Sequence, residues 1–235
     1  MDDAEAGKRA AGRAAAELVE DGMTLGLGTG STARWFIDAV GELVASGWSL
    51  SGVPTSLASE AQARELGIPL VALGRTGVDL AVDGADSVDP SLRVVKGAGG
   101  ALVREKIVAA AARRFVVVVD SAKLHDRLQG RLPVEVVPFG WEATLAALES
   151  TGAAFSLRLG ADGSPLLSDN GNYLADGAFS VLEDPEGLAE QIGAVPGVVG
   201  HGLFLGMADL VVAGHPDGSV ERRSTAGVEL TSAGG

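Results

Sequence analysis

The chain has 235 residues, enough for one large or two small domains. At that length about 70% of the unfolded chain's surface can be buried, so no staples are needed. A formal net charge of −13 and the absence of cysteine exclude disulfides and thiol chemistry and make nucleic acid and anionic membrane poor partners.

The expected elements alternate between helix and strand. Asp2 or Asp3 caps a helix running to about Glu20, with Gly22 past its end. MTLGLG reads as a strand and STARWFIDAVGELV as a helix opened by Ser31 or Thr32. LSGVPTS is a short strand, and LASEAQARELG a helix stopped by Gly67. IPLVALG and VDLAVDGAD read as strands, and GALVREKIVAAAARR as a long helix. RFVVVVDS is a near-continuous apolar run, as in a strand buried on both faces of a parallel sheet. This alternation predicts an α/β domain with a doubly wound parallel sheet.

The character changes near Gly130. PVEVVPF reads as a strand and WEATLAALEST as a helix, and FSLRLGADGSPLLSDNGNYLADGAF as antiparallel strands joined by Asp-Gly and Asn-Gly turns. PEGLAEQIGAVPG is a helix with Pro at its start and Gly at its end. GHGLF and ADLVVAG are strands again. The predicted layout is a larger domain of residues 1–129 and 203–235 with a small α+β unit of 130–202 inserted, ADLVVAG completing the first sheet. The C-terminal TSAGG reads as a frayed end. The N-terminal segment lacks the basic and apolar regions of a secretory signal, and apolar runs such as Phe115 to Val119 fall far short of a membrane span. With no cysteine, a reducing, cytoplasmic compartment is expected.

The candidate chemistry starts at the turn Gly26, Gly28 and Gly30, between a strand and a helix. Backbone N–H groups at a helix N-terminus bind anions, glycines let the backbone approach, and the hydroxyls of Ser31 and Thr32 add donors. The turn is not a Walker loop, since no lysine precedes Ser31. Nor is it a dinucleotide fingerprint, since the glycines run G-x-G-x-G and no acid closes the next strand. Taken alone it suits either an anion cradle or a tight turn without ligand. Asp83 and Asp86 end an apolar strand, where ligand crevices of open α/β sheets lie, and two carboxylates there suit proton exchange with sugar hydroxyls. They also suit a loop of turn-forming aspartates, as Asp89-Pro90 does. A metal is the other rival, but the spacing of Asp83, Asp86 and Asp89 matches no calcium loop and no histidine is near in sequence.

Lys8, Lys96, Lys106 and Lys123 are the only lysines among 18 basic residues, so arginine carries the routine positive charge. Lysine is a compact charge that arginine does not replace at every site, which marks the four as candidates, with chance as the alternative. Lys96 precedes Gly97, Gly99 and Gly100 at a second strand-to-helix turn, and Glu105 lies about one turn into the helix. Burial among Ala101, Leu102, Val108 and Ala109 would raise the Glu105 pKa, while Lys96 and the helix N-terminus would lower it. An ordinary helix-surface glutamate is the alternative. Lys123 follows another strand end, as a crevice cation or a solvated loop charge. His125, His201 and His215 form no triad or ligand pattern and read as surface or loop residues.

In this order and spacing, GLGTGSTA, VDGAD, KGAGGALVREK, DSAK, PVEVVP, SDNGN and PGVVGHGLF resemble the ribose-5-phosphate isomerases of the A type, from the first helix to ADLVVAG. The resemblance implies a Rossmann-like domain with a small α+β domain. It implies reversible isomerisation of D-ribose 5-phosphate and D-ribulose 5-phosphate, no metal or organic cofactor, and a homodimer or homotetramer. Matched by motif, Glu105 falls on the family's catalytic base. Thr29, Gly30, Ser31, Thr32, Asp83, Gly84, Ala85, Asp86, Lys96, Gly97, Ala98, Gly99 and Lys123 fall on substrate-binding positions, and Lys8 on a phosphate-contacting lysine. Ala98 and Gly100 exchange glycine and alanine relative to the commoner KGGGAAL form, and Leu124-His125 find no match.

The implied chemistry has Asp83 assisting ring opening and Glu105 moving the proton between carbons 2 and 1. Lys96 stabilises an enediolate, and Asp86 orients hydroxyls. The phosphate falls to Lys8, Lys123 or the Thr29–Thr32 turn. Two rivals share the superfamily. A sugar-phosphate deaminase is disfavoured by the lack of a catalytic histidine motif. A sugar-phosphate sensor is disfavoured because the chain goes almost directly into its first core helix, and because its pI is about 4.6.

Overall fold

The computed structural model describes residues 3–232; the alternative cap Asp2 and residues 233–235 of the expected frayed end lie outside them. Among these residues the helices are α1 (Asp3–Ala16), α2 (Ala33–Ala45), α3 (Leu57–Glu65), α4 (Leu102–Ala110), α5 (Trp141–Leu148) and α6 (Pro185–Gly193). The first strands are β1 (Thr24–Leu27), β2 (Ser51–Pro54), β3 (Leu80–Gly84), β4 (Ser87–Val88), β5 (Val94–Val95), β6 (Phe115–Asp120) and β7 (Gly130–Val136). The remainder are β8 (Phe155–Leu157), β9 (Tyr173–Phe179), β10 (Val198–His201), β11 (Leu203–Phe204), β12 (Leu210–Gly214), β13 (Val220–Ser224) and β14 (Gly227–Thr231). No helix among the described residues is long and apolar enough to cross a membrane.

The elements form two compact units: Met1–Ala85, Arg104–Leu124 and Gly206–Gly235 make one, Asp86–Val103 and His125–Leu205 the other. The smaller unit therefore takes in more chain than the expected 130–202. The reason is a small antiparallel sheet in the order β11-β5-β4, in which β5 pairs with both its neighbours and ties residues 87–95 to Leu203 and Phe204.

The larger unit is a seven-stranded sheet in the order β14-β13-β12-β6-β3-β1-β2. The five strands from β12 to β2 are parallel, and β13 and β14 add an antiparallel hairpin at one edge. Every residue of β6 is buried, as its apolar run requires. Ala11 and Ala15 of α1, Phe36, Ile37 and Val40 of α2, and Ala63 of α3 pack with Leu25, Leu27, Val82, Val116 and Val212. Helix α4 serves the other face: a β-carbon on Gly26 would lie 2.6 Å from Val108 and 2.8 Å from Ala81. Between β1 and β3 the winding reverses, which makes the carboxyl ends of those two strands the switch point where ligands of open α/β sheets bind.

Three local expectations differ from the structure. Helix α1 ends at Ala16, because Leu18 and Val19 donate to Ala15 and Ala16 in tight turns. IPLVALG forms one bridge, Gly52 to Leu70, rather than a strand; Pro69 has no N–H to give a ladder. Thr32 stands at the N-cap of α2 without a side-chain capping bond. The β13–β14 hairpin has no counterpart in the expectations.

In the smaller unit a four-stranded antiparallel sheet runs β10-β7-β9-β8. Leu132, Val134 and Val136 on one face of β7 pack with Leu145 and Leu148 of α5 and Leu188 and Ile192 of α6. The Asp-Gly and Asn-Gly turns are present, Gly163 and Gly171 taking φ of 78° and 79°. Asp184 caps α6, accepting the Gly187 N–H at 3.0 Å, with Pro185 in the first turn. Asp184→Ala should destabilise the protein by about 1 kcal/mol, read as a lower urea midpoint at unchanged slope.

Candidate active site

In the larger unit the candidate residues gather at the carboxyl edge of the sheet. Asp83, next to last in β3, is 3% exposed and accepts the N–H groups of Thr29 at 2.9 Å and of Gly84 at 2.7 Å through Oδ1. The Thr29 bond requires Gly28: a β-carbon there would lie 2.5 Å from Asp83 Cα, Cγ and Oδ1. Thr29 Oγ1 donates to Ser56 Oγ at 2.7 Å and lies 2.7 Å from Thr55 Oγ1, so the turn is tied to the end of β2. Gly30 needs no space but adopts φ of 111°, which favours glycine. Ser31 is exposed and Thr32 buried; Gly84 and Ala85 are half-buried.

Glu105, in the first turn of α4, is 3% exposed. It lies three residues before Val108, the side chain that fills the space over Gly26, and so shares the sheet-facing side of the helix. A crossover helix runs antiparallel to the strands, which puts Glu105 toward their carboxyl ends. Lys123 closes the short 3₁₀ turn Ser121–Lys123 directly after β6. Gly7 packs on Gly214 at the end of β12, where a β-carbon on Gly7 would meet the Gly214 carbonyl at 2.6 Å; Lys8 follows it and pairs with Glu5 at 3.8 Å.

In the smaller unit Asp86 and the Lys96 turn meet directly. Asp86 Oδ2 accepts the Ala98 N–H at 2.9 Å, and the Asp86 N–H donates to Val95 at 2.8 Å. Lys96 is 2% exposed, with Nζ 5.4 Å from the centre of the Phe204 ring, a distance at which the ring face attracts the ammonium. Its N–H donates to the Gly202 carbonyl at 2.8 Å. Gly97 takes φ of 102°, and a β-carbon there would clash with Leu102. Gly100, the position of the glycine–alanine exchange, takes φ of 82° and packs on Leu174, so glycine is required there. Ala98 and Gly99 are exposed.

The remaining candidates fall elsewhere. Asp89 is fully buried and accepts Arg93 Nε at 2.6 Å and the Ser91 N–H at 3.0 Å, the work of a turn carboxylate. His125 bonds Gln129, and His215 lies 3.5 Å from Glu221. His201 is in strand β10 and not in a loop. Among the described residues no group of three or more histidine, aspartate or glutamate side chains is placed to hold a metal ion. The sequence reading passes over Thr55 and Ser56, whose signal was present: a Ser-x-x-Ser capping box after the β2 strand.

Gly28→Ala should cost about 3 kcal/mol, the top of the range for overpacking, because the added carbon meets backbone and not a flexible side-chain end; urea unfolding checks it. Lys106, beside Glu105, is largely enclosed, and burial pushes its ammonium down to about 8 from the ordinary 10.5. Between those values the unfolded chain binds more protons than the folded one. The cost of burying the charge is therefore felt in full below pH 8 and relieved as pH rises to 10.5. Lys106→Met should flatten the rise in stability across that window, read as the difference in urea midpoint between variant and wild type.

A sequence model of the family described as "Ribose 5-phosphate isomerase A (phosphoriboisomerase A)" matches residues 51–218. The chain is 52% identical over 208 residues to the ribose-5-phosphate isomerase A of Roseiflexus sp. (strain RS-1), covering 86% of this chain and 89% of that one. Its fold is similar to the ribose 5-phosphate isomerase of Plasmodium falciparum, with a TM-score of 0.89, 34% identity, and coverage of 95% and 99% of the two chains. It is also similar to a D-ribose-5-phosphate isomerase solved in complex with phospho-erythronic acid, with a TM-score of 0.85, 38% identity, and coverage of 96% and 97%. On the family match, the identity and the coverage together, the chain belongs to the ribose 5-phosphate isomerase A family.

Proposed function

We propose that the protein interconverts D-ribose 5-phosphate and D-ribulose 5-phosphate through an enediolate. The observation that carries the reading is Asp83: a carboxylate buried at the switch point of the sheet and held by the amide of a glycine turn, in a chain of this family. Asp83 assists opening of the furanose. Glu105 removes the proton from carbon 2, leaving an enediolate across carbons 1 and 2, and returns it to carbon 1. The oxygen on carbon 2 becomes the carbonyl and that on carbon 1 the hydroxyl. Asp86 assists the proton transfer between the two oxygens, and Lys96 offsets their negative charge. The Thr29–Thr32 turn, Lys8 and Lys123 supply amide, hydroxyl and ammonium donors for the phosphate. The protein works without metal or organic cofactor, in the cytoplasm, as a homodimer or homotetramer.

The test is formation of ribulose 5-phosphate from ribose 5-phosphate by purified protein with EDTA present. Wild-type turnover should be unaffected by EDTA, and Glu105→Gln should lower kcat by about 10²–10⁴-fold, the range for a positioned base. Near-normal kcat in Glu105→Gln would overturn that residue's role. Binding without turnover by the wild type would favour a sugar-phosphate sensor, and ammonia release from an amino sugar phosphate a deaminase.

A further inference from the structure

Arg158 and Asp176 have no part in the chemistry above, yet they end a chain of bonds that leads to it. Arg158 Nε and Nη2 donate to the two carboxylate oxygens of Asp176 at 2.7 and 2.6 Å. The remaining nitrogen, Nη1, donates to the Ala98 carbonyl at 2.9 Å. The Ala98 N–H in turn donates to Asp86 Oδ2. Ala98 is exposed, but a guanidinium takes its carbonyl and a carboxylate its N–H.

The turn needs that hold. Gly97 and Gly100, on either side, both occupy positive φ and carry no side chain to restrict them. Arg158, by contrast, stands on rigid backbone: its N–H donates to Leu174 and its carbonyl accepts from Leu166, both at 2.8 Å. Its side chain is 15% exposed and that of Asp176 12%. Only a planar guanidinium can grip a carboxylate with two nitrogens and keep a third donor for a carbonyl. Asp86, Ala98, Arg158 and Asp176 line one cavity of about 710 Å³ in the smaller unit.

We propose that Arg158, braced by Asp176, is a positioning residue that holds the Lys96–Gly100 turn and, through Ala98, sets the Asp86 carboxylate for isomerisation. The proposal rests on the roles given to Asp86 and Lys96 in the isomerase reading. Because the effect passes through geometry, it falls on the transition state more than on ground-state binding. Misplacement of this kind costs up to about 10²-fold in rate.

The experiment compares wild type, Arg158→Met, Arg158→Lys, Asp86→Asn and the Asp86→Asn/Arg158→Met double variant. Arg158→Lys keeps a charge beside Asp176 and guards against misfolding, but its single ammonium lacks the fork. Both Arg158 variants should lower kcat by about 10- to 100-fold with KM changed by less than about 3-fold. Adding Arg158→Met to Asp86→Asn should cost little more, because the two act as one unit. Amide hydrogen exchange in the Gly97–Gly100 segment should quicken in both Arg158 variants. Losses that multiply in the double variant, or exchange unchanged from wild type, overturn the proposal. Failure of the wild type to isomerise ribose 5-phosphate overturns the isomerase reading instead, and the exchange measurement then decides alone whether Arg158 holds the turn.

Discussion

At residue 28 the chain passes so close to Asp83 that a β-carbon would lie 2.5 Å from it, and the bond from the Thr29 amide to Asp83 exists because that space is empty. That single approach sets much else at the sheet's carboxyl edge. It fixes where β1 ends, turns the Thr29 hydroxyl toward Thr55 and Ser56, and keeps the Asp83 carboxylate buried with an oxygen already engaged. A carboxylate in low dielectric is costly unless it is bonded, and two backbone amides on Oδ1 offset part of that cost. The group is thereby held in place before any ligand arrives.

The smaller unit meets the same problem with opposite sign. Lys96 is almost wholly buried in a protein of net charge −13, and its ammonium stands over the Phe204 ring. An aromatic face attracts a desolvated cation by about 2 kcal/mol. The acidic surface disfavours anions at long range, and a buried local cation acts where screening by solvent is weak.

Much of this was legible in the residues. The unbroken valines of β6 announced a strand buried on both faces. Asp83 of VDLAVDGAD stands near a strand end, and the two turn glycines in the antiparallel segment take the positive φ their Asp-Gly and Asn-Gly pairs demand. Other features left no local trace. Strands β4, β5 and β11 have two residues each, too short for any period to show, so their sheet shifted the boundary of the smaller unit unseen. IPLVALG has the apolar content of a strand but Pro69 in place of a donor. Arg158 lies 18 residues from Asp176 and 60 from Ala98 in the turn it serves, and only the folded chain brings them together.

The strand order also bears on how the chain is made. Helix α1 packs against β12 where Gly7 meets Gly214, and Arg222 of the final hairpin reaches back to Glu17 at 2.8 Å. Helix α1 thus waits for β12, which follows it by almost 200 residues, and β6 waits across the whole of residues 125–205 for the same parallel neighbour. At usual synthesis rates that interval is on the order of 5–20 s. During it the valine-rich edge of β6 is unpaired, while the smaller unit, complete by Leu205, can already have folded. The smaller unit has all its residues before β12 is made, whereas the larger sheet cannot close until it is.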